Sequence, residues 1–238
     1  MSRIILFCFL ILVTLNTNAR TDDVLPRTEA DAQRDLTSKP FEVLEFMGVQ
    51  SGWKAIDLFA GNGYYSEALA RRVGPTGHVY LHNNQAYMGF AKNLNVRVKD
   101  NRLPNVEVFV REIEDINLAS ESLDLVLMVK TYHDAYFQQS GWTVTADPLF
   151  KTIHRILKPG GIVAIIDHRA IAGTGSQHAQ ELHRIDADFA KTDIESRGFK
   201  LIDSSDLLHN ADDDMSASVF DPAVRGKTNR FVYKFKKI

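Results

Sequence analysis

The sequence predicts a single doubly wound α/β domain, because helical and strand patterns alternate along most of its 238 residues. Residues 125–129 and 162–166 are continuous apolar runs, which are typical of parallel strands buried on both faces of a sheet. We find no internal repeat, low-complexity linker or second hydrophobic block. Hydrophobic residues make up 45% of the chain, which is enough for the core of one globular domain.

Local patterns give the individual elements. Apolar runs bounded by turn residues predict strands over residues 53–59, 78–82, 106–110, 123–129, 162–166, 199–203 and 230–235. Amphipathic periodicity predicts helices over residues 40–47, 64–73, 86–99, 147–157 and 177–197. Pro40 suits the first turn of its helix, and Gly198 ends the last one. The polar residues 21–39 predict a loop and a short helix, and residues 206–228 predict a long surface loop.

Residues 1–19 have the layout of a secretory signal peptide. A positive residue precedes an apolar run over residues 4–15, and small residues lead to Ala19. This run is shorter than the roughly twenty residues that a bilayer span requires. We therefore expect cleavage after Ala19, export to the periplasm and no stable membrane anchor, with an uncleaved anchor as the alternative. Residues 20–238 would form the single domain, with residues 20–52 as a helical extension.

The charge balance argues against nucleic acid as a partner. Lysine and arginine number 28, and aspartate and glutamate number 30, which gives a formal net charge of −2. The basic residues form no stripe, and the lysines around Phe235 fit the solvated face of a last strand. The only cysteine, Cys8, lies in the predicted signal peptide. The mature chain would therefore have neither a disulfide nor a thiolate nucleophile.

The most specific local feature is the turn Gly61-Asn62-Gly63, which lies between a strand pattern and a helical pattern. Such a turn presents backbone N–H groups and a helix N-terminus, and its glycines allow close approach, so it suits a nucleotide-like ligand. A dinucleotide fingerprint would have a third glycine where Ser66 stands and an acidic residue where Asn83 stands. NAD is therefore not expected. No Gly-Lys-Ser/Thr sequence follows, which excludes a Walker-type phosphate loop.

Three segments in order carry a family resemblance: Asp-Leu-Phe-Ala-Gly-Asn-Gly at 57–63, Leu-Asp-Leu-Val at 123–126 and Leu-Lys-Pro-Gly-Gly at 157–161. With these segments the chain resembles class I S-adenosylmethionine-dependent methyltransferases from about residue 40 to residue 237. The whole layout is similar to a bacterial group of predicted methyltransferases made with signal peptides. The resemblance implies a Rossmann-like seven-stranded sheet, mostly parallel with the last strand antiparallel. It also implies S-adenosylmethionine, laid across the ends of the first three strands.

The resemblance further implies which residues contact the cofactor: Asp57, Gly61, Asn62, Gly63, Asn83, Glu112, Ile113 and Lys130. Asp57 would face the ammonium group or a bound water, and Gly61 and Gly63 would admit the methionine part. Glu112 would approach the adenine amino group, the Ile113 N–H would face the ring, and Lys130 or Thr131 would line the methyl-donor end. Asp57 could instead cap the following turn, and Glu112 could be a solvated loop carboxylate.

Asn83 departs from the family pattern, which has a carboxylate at this position. A carboxylate can accept hydrogen bonds from both ribose hydroxyls, whereas an amide accepts one bond and donates another. The sequence therefore predicts weaker cofactor binding at this position, or a different ligand.

His133 and Asp134 follow the fourth strand, where this family presents catalytic groups. An ordinary imidazole titrates near pH 6.5, so His133 is the candidate general base and Asp134 would orient it. The histidines and aspartates between residues 133 and 183 could also form a metal cluster. None shows a ligand spacing such as His-x-x-x-His, so no metal site is expected.

These observations predict a methyltransferase that acts on an unidentified acceptor, expected to be a small molecule. An exported binding or scaffold protein on the same fold is the alternative, because a fold does not fix a function.

Overall fold

The computed structural model describes residues 26–238. The predicted signal peptide therefore lies outside the described residues. Within residues 26–238, no helix is both long and apolar enough to cross a membrane.

One seven-stranded sheet forms the centre of the domain, in the order β3-β2-β1-β4-β5-β7-β6. The strands are β1 Lys54–Leu58, β2 His78–Asn83, β3 Val106–Val110, β4 Leu123–Val129, β5 Leu157–His168, β6 Phe199–Ser205 and β7 Arg230–Lys237. The pairings among β1 to β5 are parallel, and β7 is antiparallel to both of its neighbours. The doubly wound, Rossmann-like prediction with an antiparallel last strand is confirmed.

Helices cover both faces of this sheet. They are α1 Glu29–Ser38, α2 Pro40–Phe46, α3 Tyr64–Val73, α4 Leu94–Val98, α5 Ala146–Ile156, α6 Ala179–Leu182 and α7 Ala187–Glu195. Val126 of β4 packs in the cluster that contains the apolar side chains of α5 and α7. Its neighbour Leu125 packs in the cluster that contains those of α2 and α3. Successive strand residues point to opposite faces, which is why the central strands are apolar without interruption.

The predicted helix over residues 86–99 is wrong as a continuous element. A 3-10 turn at Tyr87–Phe90 is followed by a break and then by α4. Two asparagine side chains intervene: the Tyr87 N–H donates to Asn84 Oδ1 at 2.8 Å, and the Asn93 N–H donates to Asn62 Oδ1 at 2.7 Å. Local side-chain bonds of this kind offer the backbone an alternative to a regular helix.

The predicted helix over residues 177–197 also divides, into α6 and α7. His183 adopts a left-handed φ of +53°, and the Ile185 N–H donates to the His168 carbonyl at 2.9 Å. The chain between the two helices therefore runs beside the end of β5. β5 itself begins at Leu157, earlier than predicted. The long connection over residues 206–228 is free of helix and strand, as predicted.

Candidate active site

A cavity of about 510 Å³ lies where the carboxyl ends of β1 and β4 meet, within the usual size range of small-molecule sites. Among the predicted site residues, it is lined by Asp57, Gly61, Asn62, Lys130, His133 and Asp134. Gly63, Asn83, Glu112 and Ile113 do not line it. The topology explains this location, because ligands of open α/β sheets bind outside the carboxyl ends of the strands.

The glycine turn (residues 61–63) requires glycine at both of its ends. Gly61 and Gly63 have φ values of +56° and +74°, a region that other residues rarely adopt. A Cβ atom on Gly61 would meet nothing nearer than Tyr87 Cε1, at 3.9 Å, so the missing side chain leaves space on the cavity side. A Cβ on Gly63 would lie 2.4 Å from Leu81 Cδ1. Gly61 therefore allows a ligand to approach, whereas Gly63 allows the turn to pack against β2.

Asn83 holds this turn in place. The Gly61 N–H donates to Asn83 Oδ1 at 2.8 Å, and Asn83 Nδ2 donates to the Gly61 carbonyl at 3.1 Å. Asn83 is fully buried. Both ends of its amide thus bind the backbone of the turn. A carboxylate would lack the donor that the Gly61 carbonyl uses.

Glu112 and Ile113 lie outside the cavity wall. The Glu112 carboxylate accepts from the Gln85 N–H at 3.1 Å and from Asn84 Nδ2 at 3.3 Å. Ile113 is 1% exposed and belongs to the hydrophobic core. These contacts join the loops after β2 and β3 behind the cavity.

Asp57 is a buried carboxylate at the end of β1. It is 2% exposed, and Ser66 Oγ donates to its Oδ2 at 2.6 Å. Burial raises the pKa of the Asp57 carboxyl to about 7, although the Ser66 hydrogen bonds oppose the shift. A cationic ligand group beside Asp57 would favour its ionised form.

Lys130 lies at the end of β4, in a left-handed conformation with φ +61°. Its N–H donates to the Ile166 carbonyl at 2.6 Å, which fixes this unusual backbone against β5. Burial lowers the pKa of the Lys130 amine to about 7, and the positive charges of Arg34 and Arg230 lower it further. Strained backbone and a perturbed pKa in a cleft are both features of functional positions. Thr131, the alternative at this position, is buried and does not line the cavity.

His133 and Asp134 begin the 3-10 turn after β4 and face a second histidine, His183. His133 Nδ1 lies 2.9 Å from Asp167 Oδ1, and its Nε2 lies 3.1 Å from His183 Nδ1 and 3.2 Å from Asp134 Oδ1. Burial alone would lower the pKa of His133, but the Asp167 and Asp134 carboxylates outweigh burial and raise it to about 10. We call Lys130, His133, Asp134, Asp167 and His183 together the histidine rim.

Some lining residues were not found from the sequence. Arg34 comes from α1, and its guanidinium carbon lies 3.8 Å from the ring centroid of Tyr64 beside the cavity. Aromatic residues form one wall, where the Phe59 ring lies 5.5 Å from Tyr87 and 5.2 Å from Trp142. None of Arg34, Tyr87 and Trp142 directly follows a strand. Reading strand ends in the sequence therefore could not reveal them.

The chain matches the family described as Methyltransferase domain over residues 49–217. It belongs to this family. Membership confirms the predicted methyltransferase domain and, with it, S-adenosylmethionine as the cofactor. The Asp57 carboxylate and the open space at Gly61 fit the cationic and extended methionine part of that cofactor.

Curated relatives are similar over part of the chain. A demethylmenaquinone methyltransferase from Geobacillus sp. (strain WCH70) is 28% identical over 134 residues, which are 53% of this chain and 50% of the relative. A ubiquinone/menaquinone biosynthesis C-methyltransferase from Hydrogenovibrio crunogenus is 28% identical over 130 residues, 52% of this chain and 45% of the relative. The chain spans about half the length of these relatives.

Solved structures share the fold. A SAM-dependent methyltransferase from Aquifex aeolicus has a TM-score of 0.63 at 19% identity, covering 87% of this chain and 93% of that one. Geranyl diphosphate C-methyltransferase from Streptomyces coelicolor A3(2), in complex with Mg²⁺, geranyl diphosphate and S-adenosyl-L-homocysteine, has a TM-score of 0.60 at 13% identity. That match covers 93% of this chain and 89% of the Streptomyces chain.

Proposed function

We propose that this methyltransferase transfers a methyl group from S-adenosylmethionine to a small planar acceptor held between the aromatic wall and the histidine rim. One observation carries the proposal: a single cavity joins the Asp57–Gly61 region to Lys130 and His133. A donor bound at the first region and an acceptor bound at the second would share one cavity. Such proximity can supply a large part of the barrier reduction.

The cofactor side has opposite charges in suitable places. Asp57 would bind the ammonium group, and Arg34 of α1 would pair with the carboxylate across the glycine turn. When bound, the cofactor supplies a methyl group on a sulfonium centre. Asn62, which also lines the cavity, would contact the ribose in place of the buried Asn83.

The acceptor side favours a flat, largely apolar molecule with one polar group. Phe59, Tyr87 and Trp142 form an apolar wall, and stacking on such rings is favourable. The similar proteins named as demethylmenaquinone methyltransferases support a quinol-like aromatic as the first acceptor to test. Lys130 and His133 face the same space and would bind its polar group.

Lys130 is better suited than His133 to remove a proton from the acceptor. A His133 held as imidazolium by two carboxylates donates hydrogen bonds and has no free lone pair. The Lys130 amine, with its pKa lowered to about 7, is substantially neutral at physiological pH. We therefore assign Lys130 the role of general base. His133 would position the polar group of the acceptor, and Asp134 would help to hold His133 as an imidazolium.

Two experiments test this function. Calorimetry with S-adenosylhomocysteine should show binding to the wild-type protein and at least tenfold weaker binding to Asp57→Ala. In the second experiment, the wild-type protein should transfer a labelled methyl group from S-adenosylmethionine to a catechol or quinol acceptor. Ser204→Ala, an exposed β6 position, is the matched control and should behave as wild type. Absence of cofactor binding at millimolar concentration would overturn the proposal, and binding without transfer to any acceptor would support the non-catalytic alternative.

We further propose that the protein is exported after cleavage behind Ala19, as the first residues suggest. Mass spectrometry of the native protein should give Arg20 as the first residue. A native chain that begins at Met1 would contradict the cleavage.

A further inference from the structure

We propose that His133, Asp134 and His183 bind a divalent transition-metal ion. One ligand atom from each of these residues can be chosen so that all lie within 4.8 Å of one another. The nearest set is His133 Nε2, His183 Nδ1 and Asp134 Oδ1, separated by 3.1, 3.2 and 3.9 Å. All three residues line the cavity.

These separations match those of metal ligands. Metal–ligand bonds of about 2.0–2.1 Å place neighbouring ligand atoms about 3.0 Å apart in an octahedral site and about 3.4 Å apart in a tetrahedral one. Two of the three observed separations lie in this range, and the third closes with a small rotation of the Asp134 or His183 side chain. The ligand atoms are therefore arranged around one point.

His133 has the outer partner that a ligating histidine needs. Its Nδ1 faces Asp167 Oδ1 at 2.9 Å, which leaves Nε2 to face the other two ligands. The ion would take the place of the proton that Nε2 carries in the metal-free protein, because a ligating nitrogen must be deprotonated. Asp167 is itself fully buried and fixed, since it also accepts from the backbone N–H groups of His133 and His168 at 2.8 and 2.7 Å. A carboxylate behind a histidine sets its tautomer and ring orientation in metal sites.

His183 is also held by contacts other than those with His133 and Asp134. The next residue, Arg184, is fully buried and forms a two-pronged ion pair with Asp213 at 2.8 and 2.9 Å. The His183 ring contacts those of Phe137 and Phe220, at centroid distances of 4.9 and 4.8 Å. Its left-handed backbone shows that the surrounding structure, and not local preference, determines where this ring lies.

A shared proton is the competing explanation for the closest contact. Two ring nitrogens 3.1 Å apart require either a hydrogen between them or a cation that both can bind. The Asp134 carboxylate beside both nitrogens adds a negative charge, which suits a cation at the common point. The two explanations differ in stoichiometric metal uptake, which can be measured.

The ligand set indicates the class of metal. Two imidazoles and one carboxylate suit zinc, iron(II), manganese(II) or cobalt(II) better than calcium or magnesium, which prefer oxygen ligands. Three protein ligands leave further positions open toward the cavity. Resting on the proposed methyl transfer, this implies an acceptor that coordinates the ion through oxygen, such as a catechol or a quinol.

The test uses the full mature protein, stripped with a chelator and titrated with Zn²⁺ by calorimetry and with Co²⁺ by visible absorption. We expect one ion per chain. His183→Ala and the isosteric Asp134→Asn should each weaken Zn²⁺ binding at least tenfold, and Asp167→Asn about 10- to 100-fold. His209→Ala, which removes an exposed histidine elsewhere, is the control and should leave binding unchanged.

Less than half an equivalent of bound Zn²⁺, or equal affinity in wild type and both ligand variants, would overturn the site and support the shared proton. Thermal unfolding of each variant shows which are folded, and the milder Asp134→Asn decides if His183→Ala does not fold. S-adenosylhomocysteine binding, measured on the same stripped protein, reports on the proposed function separately. Cofactor binding without metal uptake would therefore remove only the metal site.

Discussion

The glycine turn and the histidine rim line the same cavity, yet their polar groups are satisfied in different ways. At the turn, the Asn83 amide is bonded to the backbone of Gly61, and Glu112 is bonded to the loop after β2. At the rim, side chains bind other ionisable side chains, as His133 does with Asp167 and His183. Backbone bonds fix a shape, whereas coupled ionisable groups hold charge and protons that a reaction can use.

Under the proposed function, the difference separates cofactor binding from chemistry within one site. The turn is a rigid surface whose variants should affect folding or cofactor affinity. The rim contains groups with strongly shifted pKa values, Lys130 lowered to about 7 and His133 raised to about 10, mainly through burial and neighbouring charges. Rim variants should therefore affect turnover more than cofactor affinity.

The largest expected effect separates the two glycines of the turn. Gly63→Val should destabilise the fold by about 3 kcal/mol, because its Cβ would overlap Leu81 in an already left-handed backbone. Gly61→Val has open space beside its Cβ, so it should lose cofactor binding with a smaller loss of stability. Urea unfolding and calorimetry measure the two effects. Equal stability losses in both variants would contradict the division of roles.

At the rim, Lys130→Met should lower kcat about 100-fold, the usual minimum for loss of a general base, with cofactor affinity changed less than about twofold. The acidic limb of the wild-type kcat profile should lie near pH 7 and be absent from the variant's residual activity. Lys130→Arg, which cannot deprotonate, should be equally slow. An unchanged kcat in Lys130→Met would remove the base assignment.

Asp57 predicts a pH dependence of stability without ligand. Its folded pKa of about 7 lies above the ordinary value of about 3.9. Between these two pH values the Asp57 carboxyl is protonated in the folded state and ionised in the unfolded state. Stability should therefore fall as pH rises through this window, by about 2 kcal/mol between pH 5 and pH 7. The neutral Asp57→Asn should show a flatter dependence in thermal unfolding. Parallel curves for the two proteins would refute the shifted pKa.

Asn83→Asp tests whether restoring the family carboxylate improves the site. A carboxylate at residue 83 can accept hydrogen bonds from both ribose hydroxyls, which by itself favours tighter ribose binding. The structure favours a loss of about 1–2 kcal/mol of stability, because the Gly61 carbonyl would lose its donor and face a charged oxygen. Chemical denaturation of Asn83→Asp measures the expected loss of stability, and calorimetry on the same variant measures its cofactor affinity. Tighter binding at unchanged stability would show that residue 83 reaches the ligand.

The smallest effect is expected for Glu112→Gln. The amide oxygen can still accept from the Gln85 N–H, and residue 112 lies outside the cavity wall. Cofactor affinity should therefore change less than about twofold by calorimetry. A tenfold loss would place the carboxylate against the ligand, as the family resemblance implied.

The doubly wound fold class and the location of the cavity follow from features that are visible in the sequence. Continuous apolar strands identify the centre of the sheet, and residues directly after them, such as Lys130 and His133, lie at its carboxyl edge. The contact between His133 and His183 was not predictable in this way, since fifty residues separate them and a broken helix brings them together. The position of Arg34 in the cavity wall was not predictable for a similar reason, because it depends on how α1 packs.

The direction of an amide side chain was equally beyond sequence reasoning. The strand-end position of Asn83 indicated a ligand contact, but its hydrogen bonds run back to Gly61. Periodicity locates a residue along a strand. It does not reveal with which of several nearby polar groups the side chain forms hydrogen bonds.

The buried Arg184–Asp213 pair connects two segments that are distant from each other in the sequence. It fastens the long connection over residues 206–228 to the turn that carries His183, and Val219 and Phe220 of that connection complete the outer cavity wall. Under the proposed function, a segment that contributes no strand to the sheet therefore forms part of the wall around the acceptor. Because a connection of this kind tolerates changes in length, its length and sequence can vary around the acceptor without altering the sheet that carries the glycine turn.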